Sequence, residues 1–501
     1  MNFYSVHQSV FARMKYFAVV LLSVAASIVA ADKPTPPPSG PQTDGAFQKV
    51  ILDSDKDTNG DGVFEDTVKD PMELAVAKDG RVFYIERAGN VKMYEPKSKE
   101  TTVIGHIQVF TGLEDGLLGL TLDPNFLKNN WIYLYHSLPE TTKAADGSKA
   151  GENVVSRYTL TDGKLDLTSE KVILRVATQR EQCCHSGGSL NFDAHGNLYL
   201  SAGDNTNPFA SDGYSPHDRR PGRSPWSAEK SSANANDLRG KILRVHPEPD
   251  GTVTIPKGNL FPPGTPGARP EVYTMGHRNP FRISIDQKNG YLYWGDVGPD
   301  AGGANPNRGP AGFDEVNQAR QPGFFGWPYF VGDNKPYIFH DFATGTNTVA
   351  FDAAKPINDS PFNTGIKELP PAQPAFIYYP GSQSARFPVV NGPGGRTAMA
   401  GPVYYFDEKN PSPTKLPREF DHTLFIYEWS RNWIIAVHLD DSDKIAKMER
   451  FCEKMTFKRP MDMELGPDGC LYVIEYGTNW GNNGDSQIVR IEHHRLSAST
   501  Q

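Results

Sequence analysis

SLNFDAHGNLYLSAGD, residues 189–204, reads as an alternating apolar strand, a turn carrying Asp and Gly, and a second alternating strand. The same phrase occurs as ELAVAKDGRVFYIER (73–87), LGLTLDPNFLKNNWIYLYHS (118–137), FRISIDQKNGYLYWGD (281–296) and MDMELGPDGCLYVIEYG (461–477). A looser copy joins PVYYFDE (402–408) to TLFIYEW (423–429). Each is a hairpin of two period-2 strands around a tight turn. Further strands are expected at 91–94, 154–160, 241–246, 434–439 and 487–492. Six such hairpins predict an all-β chain folded as a six-bladed β-propeller with long inter-strand insertions. Two packed sandwiches also use many short strands, but recurrence of one hairpin favours the propeller. Helical periodicity is nearly absent. The Gly-, Pro- and Asn-rich segments 205–238, 298–325 and 332–397 read as insertions that build up one face around the central channel.

Composition agrees with many turns and aromatic strands: 501 residues include 47 Gly, 41 Pro, 27 Phe and 21 Tyr. With 22% charged residues, the chain is neither a coiled coil nor a disordered acidic segment. A net charge of -8, with no run of five Lys or Arg, argues against nucleic acid as a partner. Arg13 and Lys15 precede an apolar run over 16–31 that ends Val29-Ala30-Ala31, with Asp32 and a Pro-rich stretch after it. This predicts a signal peptide over 1–31, a flexible leader over 32–46 and one propeller domain over 47–496. The expected location is periplasmic or extracellular, with no membrane span after processing. Export permits disulfides. Among Cys183, Cys184, Cys452 and Cys470, the expected pairing is Cys452 with Cys470 and Cys183 with Cys184. The alternative for the adjacent pair is two reduced, buried thiols.

The strongest chemical signal is Cys183-Cys184-His185-Ser186-Gly187-Gly188 ahead of the hairpin that ends Gly203-Asp204. A histidine just before an inner strand stands at the channel mouth, and Asp204 returns to the same face. A carboxylate beside an imidazole orients it and raises its basicity. The alternative is a satisfied structural histidine. A second set is Met275-Gly276-His277-Arg278-Asn279-Pro280 before the next hairpin and Gly295-Asp296-Val297-Gly298-Pro299-Asp300 after it. Asp314-Glu315 and Gly326-Trp327-Pro328 lie further on. Gly and Pro carbonyls freed from a sheet, with carboxylates nearby, suit a hard cation.

This ordered set, with Glu114-Asp115-Gly116-Leu117-Leu118-Gly119-Leu120 upstream, resembles the glucose/sorbosone dehydrogenase family over residues 68–494. The family consists of soluble quinoproteins using pyrroloquinoline quinone (PQQ) and calcium on a six-bladed propeller. The resemblance implies His185 as general base, supported by Asp204. It implies quinone contacts from Asn279, from Glu114 (where members carry Gln), and from Arg431 and Arg459. It also implies a calcium on the carbonyls of Gly298 and Pro299. The chain departs from the family pattern at Phe281, Ser430 and Met461. The activity implied is oxidation of an aldose or related alcohol, with electrons leaving to an external acceptor. No Cys-x-x-Cys-His motif occurs here, so a cytochrome would be a separate partner. Other readings are a calcium-dependent lactonase-like hydrolase and a non-catalytic carbohydrate- or protein-binding propeller.

Residues 55–66, DKDTNGDGVFED, have the spacing of a calcium loop, with Asp55, Asp57, Asn59, Asp61 and Asp66 as ligands and Gly60 at the turn. A structural calcium is expected, and a solvated acidic turn is the alternative. The stretch from Asp218 to Arg223, with Trp226, reads as a solvated insertion rather than an anion-binding rim.

Overall fold

The computed structural model describes residues 42–144 and 147–494. Residues 1–31, expected as a signal peptide, lie outside them. The fold is the expected six-bladed propeller. Blade one uses Pro71–Val76, Val82–Glu86, Asn90–Glu95 and Glu100–His106. Blade two uses Leu117–Leu122, Trp131–Ser137, Lys149–Thr161 and Lys164–Gln179. Blade three uses Gly187–Phe192, Leu198–Ala202, Lys241–Pro247 and Val272–Met275, with Gly323–Phe324 added in parallel outside. Blade four uses Pro280–Ile285, Leu292–Asp296, Phe313–Ala319 and Ile377–Pro380. Blade five uses Ala398–Tyr404, Thr423–Glu428, Trp433–Leu439 and Ile445–Arg450. Blade six uses Pro460–Leu465, Leu471–Glu475 and Gln487–His493.

The N-terminal strand Phe47–Ser54 pairs antiparallel with Gln487–His493 and completes blade six. Chain start and chain end thus share one sheet, which closes the ring. The expected leader is shorter than its sequence suggests: Gln42–Asp44 is a strand paired outside Phe47–Ser54. Two of the supposed insertions also contain blade strands. Phe313–Ala319 and Ile377–Pro380 are the third and fourth strands of blade four. Polar residues hid the first of these, because Asp314 and Glu315 are buried carboxylates that accept from Gly298 N and Gly332 N of other loops, and Asn317 is buried beside Glu315.

Four of the six hairpin turns carry a glycine with positive φ, such as Gly80 at 90° and Gly196 at 77°, where a side chain would be strained. Aromatic edges lock neighbouring blades: Phe83 meets Phe126, Tyr133 meets Phe192, and Phe47 meets Phe451 at 5.1–5.3 Å. Such contacts contribute about 0.5–1.5 kcal/mol each beyond burial.

Cys183 and Cys184 form a disulfide. Cys452 and Cys470 do not pair; both are buried free thiols. Cys470 lies in the hairpin turn between the two inner strands of blade six, where its Sγ donates to Thr414 O at 3.2 Å. Cys452 follows Phe451, whose ring packs on Phe47 in the outer strand of that blade. The strand Gln487–His493 lies between these places in the sheet order, so the two sulfurs occupy different layers. Among the described residues, no helix is long and apolar enough to cross a membrane.

Candidate active site

The inner strand of every blade starts, and the second strand ends, on the same face of the ring. Residues just before the first and just after the second therefore form one rim. This places Glu114, His185, Asp204, Asn279, Gly298, Pro299, Arg396, Trp429 and Arg459 around the channel mouth.

His185 is 4% exposed, and its Nδ1 lies 2.7 Å from Asp204 Oδ1. Its backbone is left-handed, at φ 67°, a costly conformation for a residue with a side chain. Three contacts hold it there. The His185 N–H donates to Glu114 Oε2 at 2.6 Å, and the His185 carbonyl accepts from Asn205 N at 3.2 Å. Gly203 runs against the same carbonyl so closely that a Cβ there would lie 2.2 Å from the oxygen. The Gly-Asp pair after the hairpin is thus a steric requirement as well as a carboxylate.

Asp204 is fully buried and accepts three hydrogen bonds: His185 Nδ1, Thr206 N at 3.0 Å and Trp327 Nε1 at 2.8 Å. With Nδ1 bonded to a carboxylate, Nε2 is the ring nitrogen left to accept a proton. Asn279 meets this group through Oδ1, which accepts from Gly187 N at 3.1 Å. Its own N–H donates to Asp296 Oδ1 at 2.7 Å. The disulfide of Cys183 and Cys184 lies directly against Glu114.

The channel below is filled. Arg282 is fully buried and donates to Met72 O at 2.5 Å and Met461 O at 3.2 Å, with Asp462 at 3.5 Å. Glu73 accepts from Leu120 N at 2.5 Å, and burial pushes its carboxyl up to about 8 against the pull of Arg282. These groups tie the inner strands of several blades and form a polar floor, so the site opens only at the rim.

The far side of the rim differs from expectation. Arg431 does not face the mouth. Its guanidinium donates to the carbonyls of Gly395, Val390 and Pro380 at 2.9–3.0 Å and so anchors the segment ahead of blade five. That segment presents Arg396, which the sequence reading missed. Arg396 Nη2 donates to Pro299 O at 2.7 Å, while its Nη1 is buried without a partner. Trp429 Nε1 is a second buried donor without an acceptor. Arg459 lies between Trp429 and Trp480, with its guanidinium 4.2 Å and 5.3 Å from the ring centres. Gly298 N donates to Asp314 Oδ1 at 3.0 Å.

Orphaned donors at Arg396 and Trp429, with Arg459 beside Trp429, suit an acidic planar ligand, and a tricarboxylate quinone such as PQQ fits them. The carbonyls of Gly298 and Pro299 lie at the rim; Pro299 O accepts from Arg396, whose charge is met by the buried Asp314 carboxylate, 3.7 Å from its Nε.

The loop 55–66 also departs from expectation. Asp55 is turned into the fold, where its carboxylate accepts from Val68 N at 2.7 Å and Ser486 N at 2.8 Å. Burial raises its pKa to about 6 in spite of those donors. Asp66 is also withdrawn: both its oxygens are buried without partners, and burial, with Asp55 and Asp70 nearby, raises it to about 7. The loop closes on itself, with Asp57 accepting from Gly60 N and Gly62 N, Asn59 from Asp61 N and Asp61 from Val63 N. Asp55 and Asp66 therefore leave the expected set, whereas Asp57 and Asp61 converge with Glu65, their carboxylate oxygens within 4.8 Å of one another. In the basic insertion, Arg220 and Arg223 pair with Asp218, and Arg219 pairs with Glu229 and Asp359.

A family model for glucose/sorbosone dehydrogenase matches residues 68–366, more than half of the chain. The chain belongs to that family. Quinoprotein glucose dehydrogenase B of Acinetobacter calcoaceticus is 26% identical over 291 residues, covering 57% of this chain. The match spans only 56% of that relative's own length. Aldose sugar dehydrogenase YliI of Escherichia coli K12 is 24% identical over 414 residues, 82% of this chain and 88% of the relative. Among solved structures, the PQQ-bound aldose sugar dehydrogenase of Streptomyces coelicolor superposes with a TM-score of 0.54 at 17% identity. It covers 90% of this chain and 99% of its own, a likeness of fold.

Proposed function

We propose that this chain is an exported PQQ-dependent dehydrogenase that oxidises a sugar, most simply at the anomeric hydroxyl of an aldose. The observation that carries the reading is the buried His185–Asp204 pair at the mouth of a closed channel. His185 Nε2 takes the hydroxyl proton as the carbon–hydrogen bond breaks, and Asp204 stabilises the imidazolium that forms. Bound PQQ supplies a two-electron acceptor for the hydride from the same carbon. Arg396, Arg459 and the indole of Trp429 would hold the acidic groups of the quinone, and Arg396 places its guanidinium beside Pro299. Glu114 fixes the His185 backbone, and the Glu73–Arg282 floor keeps ligands at the rim. Electrons leave to a separate acceptor. Location outside the cytoplasm is supported by the leader-like residues 1–31 and by the Cys183–Cys184 disulfide, which forms in oxidising compartments.

The test is to add PQQ to the purified chain and follow dye reduction with a panel of aldoses and simple alcohols. The reading expects PQQ-dependent reduction with at least one aldose. PQQ binding without turnover on any of the panel would count against a sugar dehydrogenase.

A further inference from the structure

Trp327 reaches the His185–Asp204 pair from a distant part of the chain. Its indole Nε1 donates to Asp204 Oδ2 at 2.8 Å, across 123 residues of sequence. The bond is buried at both ends, with Trp327 4% exposed and Asp204 0%. The indole is itself held. Its backbone N–H donates to Gly276 O at 3.0 Å, and its ring packs with Ala228, Val331 and Tyr337. The other carboxylate oxygen, Oδ1, serves His185 Nδ1 and Thr206 N. Arg239 adds positive charge nearby, and Lys241 adds less, since burial lowers its pKa to about 7.

We propose that Trp327 is a positioning residue, whose indole N–H fixes the Asp204 carboxylate so that its other oxygen holds the proton on His185 Nδ1 and leaves Nε2 to face substrate. The proposal rests on the reading of His185 as base. A carboxylate rotates about its Cβ–Cγ bond unless both oxygens are engaged. The Thr206 and His185 donors sit on one oxygen, and among the described residues the indole alone pins the second. Without the N–H, Oδ2 becomes a buried anionic oxygen lacking a partner, and the carboxylate reorients to find one. The imidazole then loses its single orientation and tautomer.

The test uses the full chain labelled with ¹⁵N-histidine, compared with Trp327→Phe. The proton shared by His185 Nδ1 and Asp204 should give a far-downfield resonance, assigned by its loss in His185→Gln. In Trp327→Phe that resonance is expected to move upfield or to exchange away. In the PQQ-loaded enzyme, kcat should fall about tenfold with KM for the sugar changed less than about twofold. If Trp327→Phe fails to fold, benzothienylalanine at 327 keeps the ring shape, removes the N–H and should give the same result. An unchanged resonance in a folded variant lacking the N–H overturns the proposal. The resonance is read without quinone or sugar. A shifted resonance in a chain that oxidises no sugar would therefore keep Trp327 as the holder of the pair and remove only the dehydrogenase reading.

Discussion

The rim at blades three and four and the rim at blade five were read from the same kind of motif, yet only the first assembles as its sequence suggests. His185 and Asp204 flank one hairpin, so the pairing of Gly187–Phe192 with Leu198–Ala202 brings them together without help from the rest of the chain. Arg431 also follows a hairpin, but its acceptors are carbonyls at 380–395, in a segment whose path the sequence does not disclose. A long arginine goes to the strongest unsatisfied carbonyls within reach, and here those lie behind the rim. Short side chains at hairpin ends are placed by local register, whereas long ones are placed by whatever the tertiary fold leaves unpaired.

The contrast within blade five can be broken by two substitutions. Arg396→Ala should weaken PQQ binding by about tenfold or more, the scale of a lost charge-assisted contact, and also lower Tm, because it strands Pro299 O and the buried Asp314 carboxylate. Arg431→Ala should lower Tm by several degrees, because it strands buried carbonyls, and leave the PQQ affinity of the folded protein nearly unchanged. Quinone titration and thermal unfolding of both variants decide this; the reverse order of affinities would restore Arg431 to the site.

The loop 55–66 sharpens the same point. Asp55→Ala removes the acceptor for two buried N–H groups and should cost about 2–4 kcal/mol in denaturant unfolding. Asp57→Ala, on the exposed turn, should cost well under half of that. Equal losses would mean that the turn, not the clamp, holds the N-terminal strand.

A smaller effect is expected at Asp66, whose folded pKa of about 7 lies above its unfolded value near 4. A raised carboxyl pKa means that the folded state binds the proton more tightly. Its stability is therefore full below pH 4 and is lost as pH rises towards 7. Asp66→Asn should raise stability by about 1 kcal/mol at pH 8, allowing for partial solvent screening, and by almost nothing at pH 4. Thermal melts across that range check the sign.

The propeller was legible because its hairpin recurs with the same period-2 strands, in four of the six with a turn glycine, Gly80, Gly196, Gly290 or Gly469. Blade four was half hidden, since Asp314 and Glu315 look like loop residues until the loops that satisfy them are in place. The fourth strand of blade six was hidden because it comes from the other end of the chain. At the site, His185, Asp204 and Asn279 were legible from hairpin ends. Trp327 was visible only as part of a Gly-Trp-Pro string, and nothing in the string says which carboxylate its N–H reaches. Arg396 carried no signal beyond a lone arginine in a Gly-rich run. The calcium spacing at 55–66 was right for Asp57 and Asp61, which converge with Glu65, and wrong for Asp55 and Asp66, because spacing specifies which residues could ligate and not which ones the fold turns inward.

The most direct measurement compares the intact chain with His185→Ala, both loaded with PQQ, following single-turnover reduction of the quinone by an aldose. The account predicts the same PQQ affinity and the same Tm within a few degrees, with a reduction rate at least about a hundredfold lower. A His185→Ala protein that binds the quinone and is reduced at the parent rate would contradict it.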